Sequence, residues 1–187
     1  MDSIRLDASA QAGARLRTDE VLYKEPTMKP FAIILIILVL AAVVGVGWLY
    51  LNANLTVTFG SCIATEGVTQ ADFFDQIKKQ VSNDSFIGTL YGNKNLQTAD
   101  QYQFLTYTVN LDNHAFLKAD TVEIRITPMQ SDVLMLGDEQ EHSVPAGNKG
   151  TLSATILTSR DNHSVREGTV TWYFWGIPFS SKLTLGQ

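Results

Sequence analysis

Residues 31–51, "FAIILIILVLAAVVGVGWLYL", form an unbroken run of 21 residues without a charge, an Asn, a Gln or a Pro. At a helical rise of about 1.5 Å per residue such a run spans roughly 32 Å, the thickness of a hydrocarbon layer of about 30 Å. A core helix of a water-soluble domain is amphipathic or shorter, whereas this run is apolar on every side. The run therefore predicts a single transmembrane helix. Trp48 and Tyr50 at its end suit the headgroup layer, where an amphipathic ring keeps its polar atom hydrated.

Lys and Arg close to a membrane segment are retained on the cytoplasmic side. Arg5, Arg15, Arg17, Lys24 and Lys29 precede the run, and the first basic residue after it is Lys78. The asymmetry predicts a cytoplasmic amino terminus and a carboxy-terminal region outside. The five acids of the tail (Asp2, Asp7, Asp19, Glu20, Glu25) do not change this, because acids count for little in the rule. The alternative is a signal peptide cleaved after Gly47, since Gly45-Val46-Gly47 follows a shorter apolar run. A leader of 30 residues ahead of that run is long for a signal peptide, and Trp48 would become the new amino terminus. Phe59-Gly60-Ser61-Cys62 has the look of a lipoprotein-processing site, but polar residues separate it from the apolar run; a lone thiol in a strand is ordinarily a small buried hydrophobe.

Residues 1–30 are of mixed charge and poor in large apolar side chains, so they bury too little surface to offset the entropy of ordering and read as a short disordered cytoplasmic tail. Residues 52–187 hold nine Lys or Arg and fourteen Asp or Glu, a net charge of −5. Nothing there offers the clustered cations that nucleic acid or anionic lipid would require. Their length suits one domain with one core. With a single cysteine, that domain has no internal disulfide and relies on packing.

Within it, "NLTVTFGSCIAT" alternates at Leu55, Val57 and Phe59. "TQADFFDQIKKQV" predicts one short helix over 70–81, with Thr69 as its cap, Asp72 early, Lys78 and Lys79 late, and Phe74, Ile77 and Val81 on one side. Beyond residue 85 the pattern is strand. Leu105, Tyr107, Val109 and Leu111 share one face, as do Val122, Ile124 and Ile126, with polar residues between them. "FIGTLY", "DVLML", "GTLSATILT", "GTVTWYFW" and "SKLTL" supply the others, separated by turn clusters such as "PAGNKG" and "RDNHSVREG". Seven or eight short strands with breaks between them predict a mainly β domain with one short helix, following a transmembrane helix at 31–51, and favour an antiparallel β-sandwich over a barrel, although periodicity alone does not separate the two.

"YTVNLDNHAFLKADTVEIRITP" resembles the paired strands of bacterial Ig-like, fibronectin-like extracellular modules of the CARDB type, and "VPAGNKGTLSATI" resembles the turn that introduces a later strand in them. The resemblance covers roughly residues 102–175, and the helix over 70–81 departs from it. It implies an Ig-like sandwich serving adhesion, spacing or protein contact, and transfers no catalytic residue.

Motifs for chemistry are few. His114, His142 and His163 fall in or beside predicted turns without the spacing of a metal site, and Cys62 has no histidine near it for a copper centre. Gly137 to His142, "GDEQEH", offers Asp138, Glu139 and Glu141 but lacks the alternating oxygens of a calcium loop and reads as a solvated turn. No Gly-x-Ser-x-Gly elbow is present. No metal or cofactor is implied. The densest unusual feature is "TWYFWGIPF": with Val170, Trp172 and Phe174 inward, Tyr173 and Trp175 face the other way, where either the helix or a neighbouring loop covers them or they make a candidate contact surface for protein, glycan or headgroup. These features predict a non-catalytic, single-pass protein of the cell membrane, an interaction or structural module of the envelope with an envelope protein as partner. Ala41-x-x-x-Gly45 offers small residues for weak self-association in the bilayer. An envelope hydrolase with a convergent site is the alternative. A pilin-like subunit is disfavoured, because the acidic residue and processing site expected near the start of a pilin's apolar segment are missing.

Overall fold

A computed structural model of the chain describes residues 30–92, 95–137 and 141–186. Of the expected tail at 1–30 all but Pro30, and the acids Asp138 and Glu139, lie outside the described residues. Two compact units divide the chain, Met1–Ala42 and Val43–Gln187. The described part of the first is helical throughout and belongs to α1 (Pro30–Leu51), which buries none of its side chains. The second holds the last turns of α1 and all that follows.

Among the described residues, eight strands and one further α-helix build the second unit: β1 (Leu55–Glu66), α2 (Ala71–Ser82), β2 (Gly88–Leu90), β3 (Tyr102–Asn113), β4 (Asp120–Ile126), β5 (Asp132–Leu136), β6 (Lys149–Ser159), β7 (Arg166–Phe174) and β8 (Ile177–Leu185). They form two antiparallel sheets, ordered β1-β3-β6-β5-β2 and β4-β7-β8. Setting β1, β3, β6 and β5 as strands A, B, E and D, and β4, β7 and β8 as C, F and G, reproduces the constant-type immunoglobulin arrangement. The predicted Ig-like sandwich is the observed fold, with a helix inserted between A and B and a short extra strand beyond D.

The main core lies between the sheets. Leu105, Tyr107, Val109 and Leu111 of β3 and Val122 and Ile126 of β4 are buried in it, as their alternation predicts, together with Leu152, Ala154 and Ile156 of β6 and Val170, Trp172 and Phe174 of β7. Ile124 is half-buried at the core's margin. Urea unfolding should read this alternation directly. Val109→Ala removes packing from the core and should cost about 1–4 kcal/mol, whereas Thr108→Ala, on the outer face, should shift stability by about 0.5 kcal/mol or less. Equal sensitivity of the two positions would contradict the half-buried sheet.

A second core lies on the outer face of the larger sheet. Phe74, Ile77 and Val81 of α2 pack there against Tyr102 and Phe104 of β3, Leu134 of β5 and Leu157 of β6. The β3 residues on this face thus change role along the strand, from open at Asn110 to covered at Phe104. The helix begins differently from its prediction. A 3-10 turn, Gly67–Gln70, leads into it and the two together run 16 residues, so Thr69 lies within that turn. Gln70 takes the cap position, without a side-chain hydrogen bond. Asp72 is still in the first turn and Lys79 in the last, as the helix dipole favours.

The end of the sandwich farthest from the start of β1 is tied by a buried ion pair. Arg166 donates from Nε to Asp132 Oδ2 (3.0 Å) and from Nη2 to Oδ1 (2.8 Å), and both side chains are fully buried. Its Nη1 donates to the carbonyls of His163 and Val165. Asp132 also accepts from the Met129 N–H (2.7 Å) and from Asn162 Nδ2 (3.3 Å). Nearby, the Tyr107 hydroxyl donates to the Ser164 carbonyl (2.6 Å). The β4–β5 and β6–β7 connections are thereby locked to each other, with the pair's hydrogen-bonding capacity used on both sides.

Candidate contact surface

The aromatic stretch of β7 was expected to present Tyr173 and Trp175 as one outward row. The inward row is as expected: Val170, Trp172 and Phe174 are all buried. The outward row is not continuous. Tyr173 is half-buried, opposite Asp120 on β4 and Pro178 on β8. Strand β7 ends at Phe174, and Trp175 and Gly176 make the two-residue turn into β8 with φ of +51° and +76°. Paired positive φ values are the signature of a type I′ hairpin, whose twist matches that of the flanking strands. Asn and Gly are the usual occupants. A tryptophan in the left-handed region costs about 1–2 kcal/mol relative to right-handed backbone, so its ring is displayed at the hairpin tip against a local conformational preference. Trp175 is 65 % exposed.

Three segments meet at this end of the sandwich. The last turns of α1 lead into β1 through residues 52–54 alone. That link is held by backbone hydrogen bonds from Asn52 N–H to Trp48 O (3.1 Å), Ala53 N–H to Tyr50 O (3.2 Å) and His114 N–H to Asn54 O (3.0 Å). Residues 114–118 join β3 to β4 and are organised by Asn113. Its buried amide donates to the carbonyls of Leu117 (2.8 Å) and Val144 (2.9 Å), and its Oδ1 accepts from the Ala115 N–H (3.0 Å). This fixed loop projects Phe116, 70 % exposed, whose ring lies 5.4 Å from that of Trp48. The β7–β8 hairpin is the third segment. Phe179 of β8 meets Tyr50 (5.4 Å), Phe174 (5.5 Å) and Trp172 (6.2 Å), and so links the tip to the core.

Between these segments runs an apolar cleft lined by Val46, Leu49 and Tyr50 on one side and Trp175, Ile177 and Phe179 on the other. At ≈ 40 Å³ it is little more than one water's share of liquid volume, about 30 Å³, and far below a small-molecule site of about 300 Å³. The feature is a surface. Tyr173 does not line it.

The other residues singled out in the sequence are scattered. His114 stands beside Asp112 (3.7 Å), and His163 belongs to the β6–β7 connection, where its carbonyl accepts from Arg166. Among the described residues no three of His, Cys, Asp and Glu come together as metal ligands would. Cys62, half-buried on β1, packs against the main core, and burial pushes its thiol above the ordinary range, away from the reactive thiolate. Sequence reasoning missed the exposed Phe116 and Ile177. Their signal was "HAFLK" and "GIP", apolar residues placed in turns where solvated ones are usual.

No family model matches the chain, and no curated protein matches it.

Proposed function

We propose that the chain is a single-pass membrane protein, amino terminus in the cytoplasm, whose Ig-like sandwich stands outside as a non-catalytic interaction or structural module of the cell envelope. The observation that carries this reading is α1: 22 residues without a charged side chain, none of them buried among the described residues. Leaving such side chains in water forgoes about 1.5–3 kcal/mol for each large one. A bilayer removes that penalty along the whole helix, and the five cations that precede the helix set its direction. The sandwich brings a stable frame with displayed loops, the arrangement on which contact modules are built. The likeness of residues 102–175 to CARDB-type modules agrees with that role. Trp175 is the displayed member of its contact surface, whereas Tyr173, half-buried on β7, stands apart from it.

Protease added outside intact cells should digest the chain beyond Asn52 and leave the tail intact, and the full-length chain should stay with the membrane through alkaline washing. An outer domain that survives while the tail is cut would reverse the direction. A soluble product beginning at Trp48 would replace the anchor with a signal peptide.

A further inference from the structure

The exposed apolar side chains at the start of the sandwich are not scattered. Phe116 (70 % exposed), Trp175 (65 %) and Ile177 (45 %) all stand beside the last turns of α1, Phe116 against Trp48 and the other two across the cleft from Val46 and Leu49. They come from two hairpin ends far apart in the chain, and each is held in place: Phe116 by Asn113, Trp175 by a two-residue turn and Ile177 by its pairing with Phe174, while the approach of α1 is fixed by the backbone bonds of residues 52–54. Height along α1 decides what such a surface meets. Val46 lies five residues before Leu51, about 7–8 Å along the helix axis from its end. Interfacial side chains bury to about 5–10 Å at the boundary of headgroups and acyl chains. Side chains level with Val46 therefore reach the layer that Trp48 and Tyr50 occupy, where tryptophan is enriched.

Charge agrees with this placement. Residues 175–178 at the hairpin tip, Trp-Gly-Ile-Pro, carry none. In the loop at 114–118 the one lysine, Lys118, is neutralised by Asp120 at 2.6 Å. The surface thus offers aromatic and aliphatic contact without a net charge.

We infer that Phe116, Trp175 and Ile177 form a second membrane-binding site, an aromatic foot that sits in the headgroup layer of the outer leaflet and seats the sandwich on the bilayer. This rests on the single-pass reading above and deepens it, because it names the partner of the Trp175 surface: the lipid interface itself. Binding needs no particular headgroup and no anionic lipid, since the foot carries no net charge.

The test uses the full chain in phosphatidylcholine vesicles whose acyl chains carry bromine, a short-range quencher of tryptophan emission. Two single-tryptophan forms are compared, Trp172→Phe/Trp175→Phe, which retains Trp48, and Trp48→Phe/Trp172→Phe, which retains Trp175. The Trp172 Nε1–H is buried with no hydrogen-bond partner among the described residues, so phenylalanine there removes no bond. Both forms should lose emission in brominated vesicles relative to plain ones, Trp175 to a degree comparable with Trp48. Quenching of Trp48 without quenching of Trp175 overturns the foot and leaves the anchor standing. Quenching of neither removes the anchor and the foot with it. A Trp175 shielded from aqueous acrylamide yet untouched by bromine is covered by a second copy or a protein, which also overturns the inference. Should Trp172→Phe disturb the core, Trp175→Phe in the otherwise native chain makes the same measurement by difference: the bromine-sensitive share of emission should fall, and an unchanged share overturns the inference.

Discussion

Arg166→Met should lower the stability of the sandwich by about 3–5 kcal/mol at neutral pH, the cost typical of removing one partner from a buried ion pair. The methionine fills much of the arginine's space, so the loss comes from Asp132, left as a buried carboxylate without its charged partner and with neutral donors such as the Met129 N–H and Asn162 in its place. The double variant Arg166→Met/Asp132→Leu should recover most of that loss, because burying two apolar side chains replaces a costly desolvation with packing. The pH dependence separates this cause from simple loss of contacts. Burial alone would push the Asp132 carboxyl up. The Arg166 hydrogen bonds, with those of Met129 and Thr158, overcome it and hold the group below its ordinary value. A depressed folded-state pKa contributes stability that is present above the unfolded value, about 3.9, and is lost as pH falls through the lower folded value. Without Arg166 the sign reverses: burial then raises the folded pKa, and the variant recovers as the carboxyl protonates. The gap between wild type and Arg166→Met should therefore narrow from pH 7 to pH 4 in urea unfolding of the detergent-solubilised chain. A gap independent of pH would mean that the buried charge is not what the substitution exposes.

Phe74→Ala should cost about 3–5 kcal/mol, as deletion of a fully buried aromatic side chain does. Its ring stacks on Tyr102 at 5.5 Å, under a helix that packs on this outer face of the larger sheet. The effect should be spatially uneven. Amide hydrogens of α2 should exchange faster than those of β7, because the helix can detach while the core between the sheets stays closed. Uniform acceleration across both would show α2 and the sandwich opening as one unit. A loss under about 1 kcal/mol would remove the second core from the account of stability.

These two sites differ in how far they could be read from the sequence. The helix was legible, because Phe74, Ile77 and Val81 recur at helical spacing and commit one face to burial. The sheet face receiving it was not. Tyr102 and Phe104 stand out of step with the inward row from Leu105 to Leu111, and local alternation carries no record of which stretch of a strand a distant helix will cover. The ion pair left even less trace. Asp132 opens one strand and Arg166 another, 34 residues apart, and each alone looks like the charged border of a turn. Trp175 shows how a boundary is lost. The alternation of Val170, Trp172 and Phe174 invites one more step, and only backbone geometry reveals that the chain has already turned. Asn-Gly there would have announced the hairpin; Trp-Gly hides it behind the aromatic pattern. As for the proposed foot, its parts were visible as apolar residues in turns, but their shared position arises from the sandwich topology, which brings the β3–β4 and β7–β8 connections to the end where β1 begins.

That topology also leaves four sheet edges, and each is spoiled as a template for further strands. The register slips between Phe59 and Ser61 on β1 and between Asp120 and Glu123 on β4. Strand β2 has only three residues, and β8 carries Pro178 in its first turn of pairing. Bulges, brevity and proline are the means by which natural sheets discourage aggregation. Copies confined to a membrane plane, as proposed for this chain, share orientation and height and meet edge to edge far more often than copies tumbling freely. Under that confinement blunted edges let many sandwiches stand side by side without zipping into a common sheet.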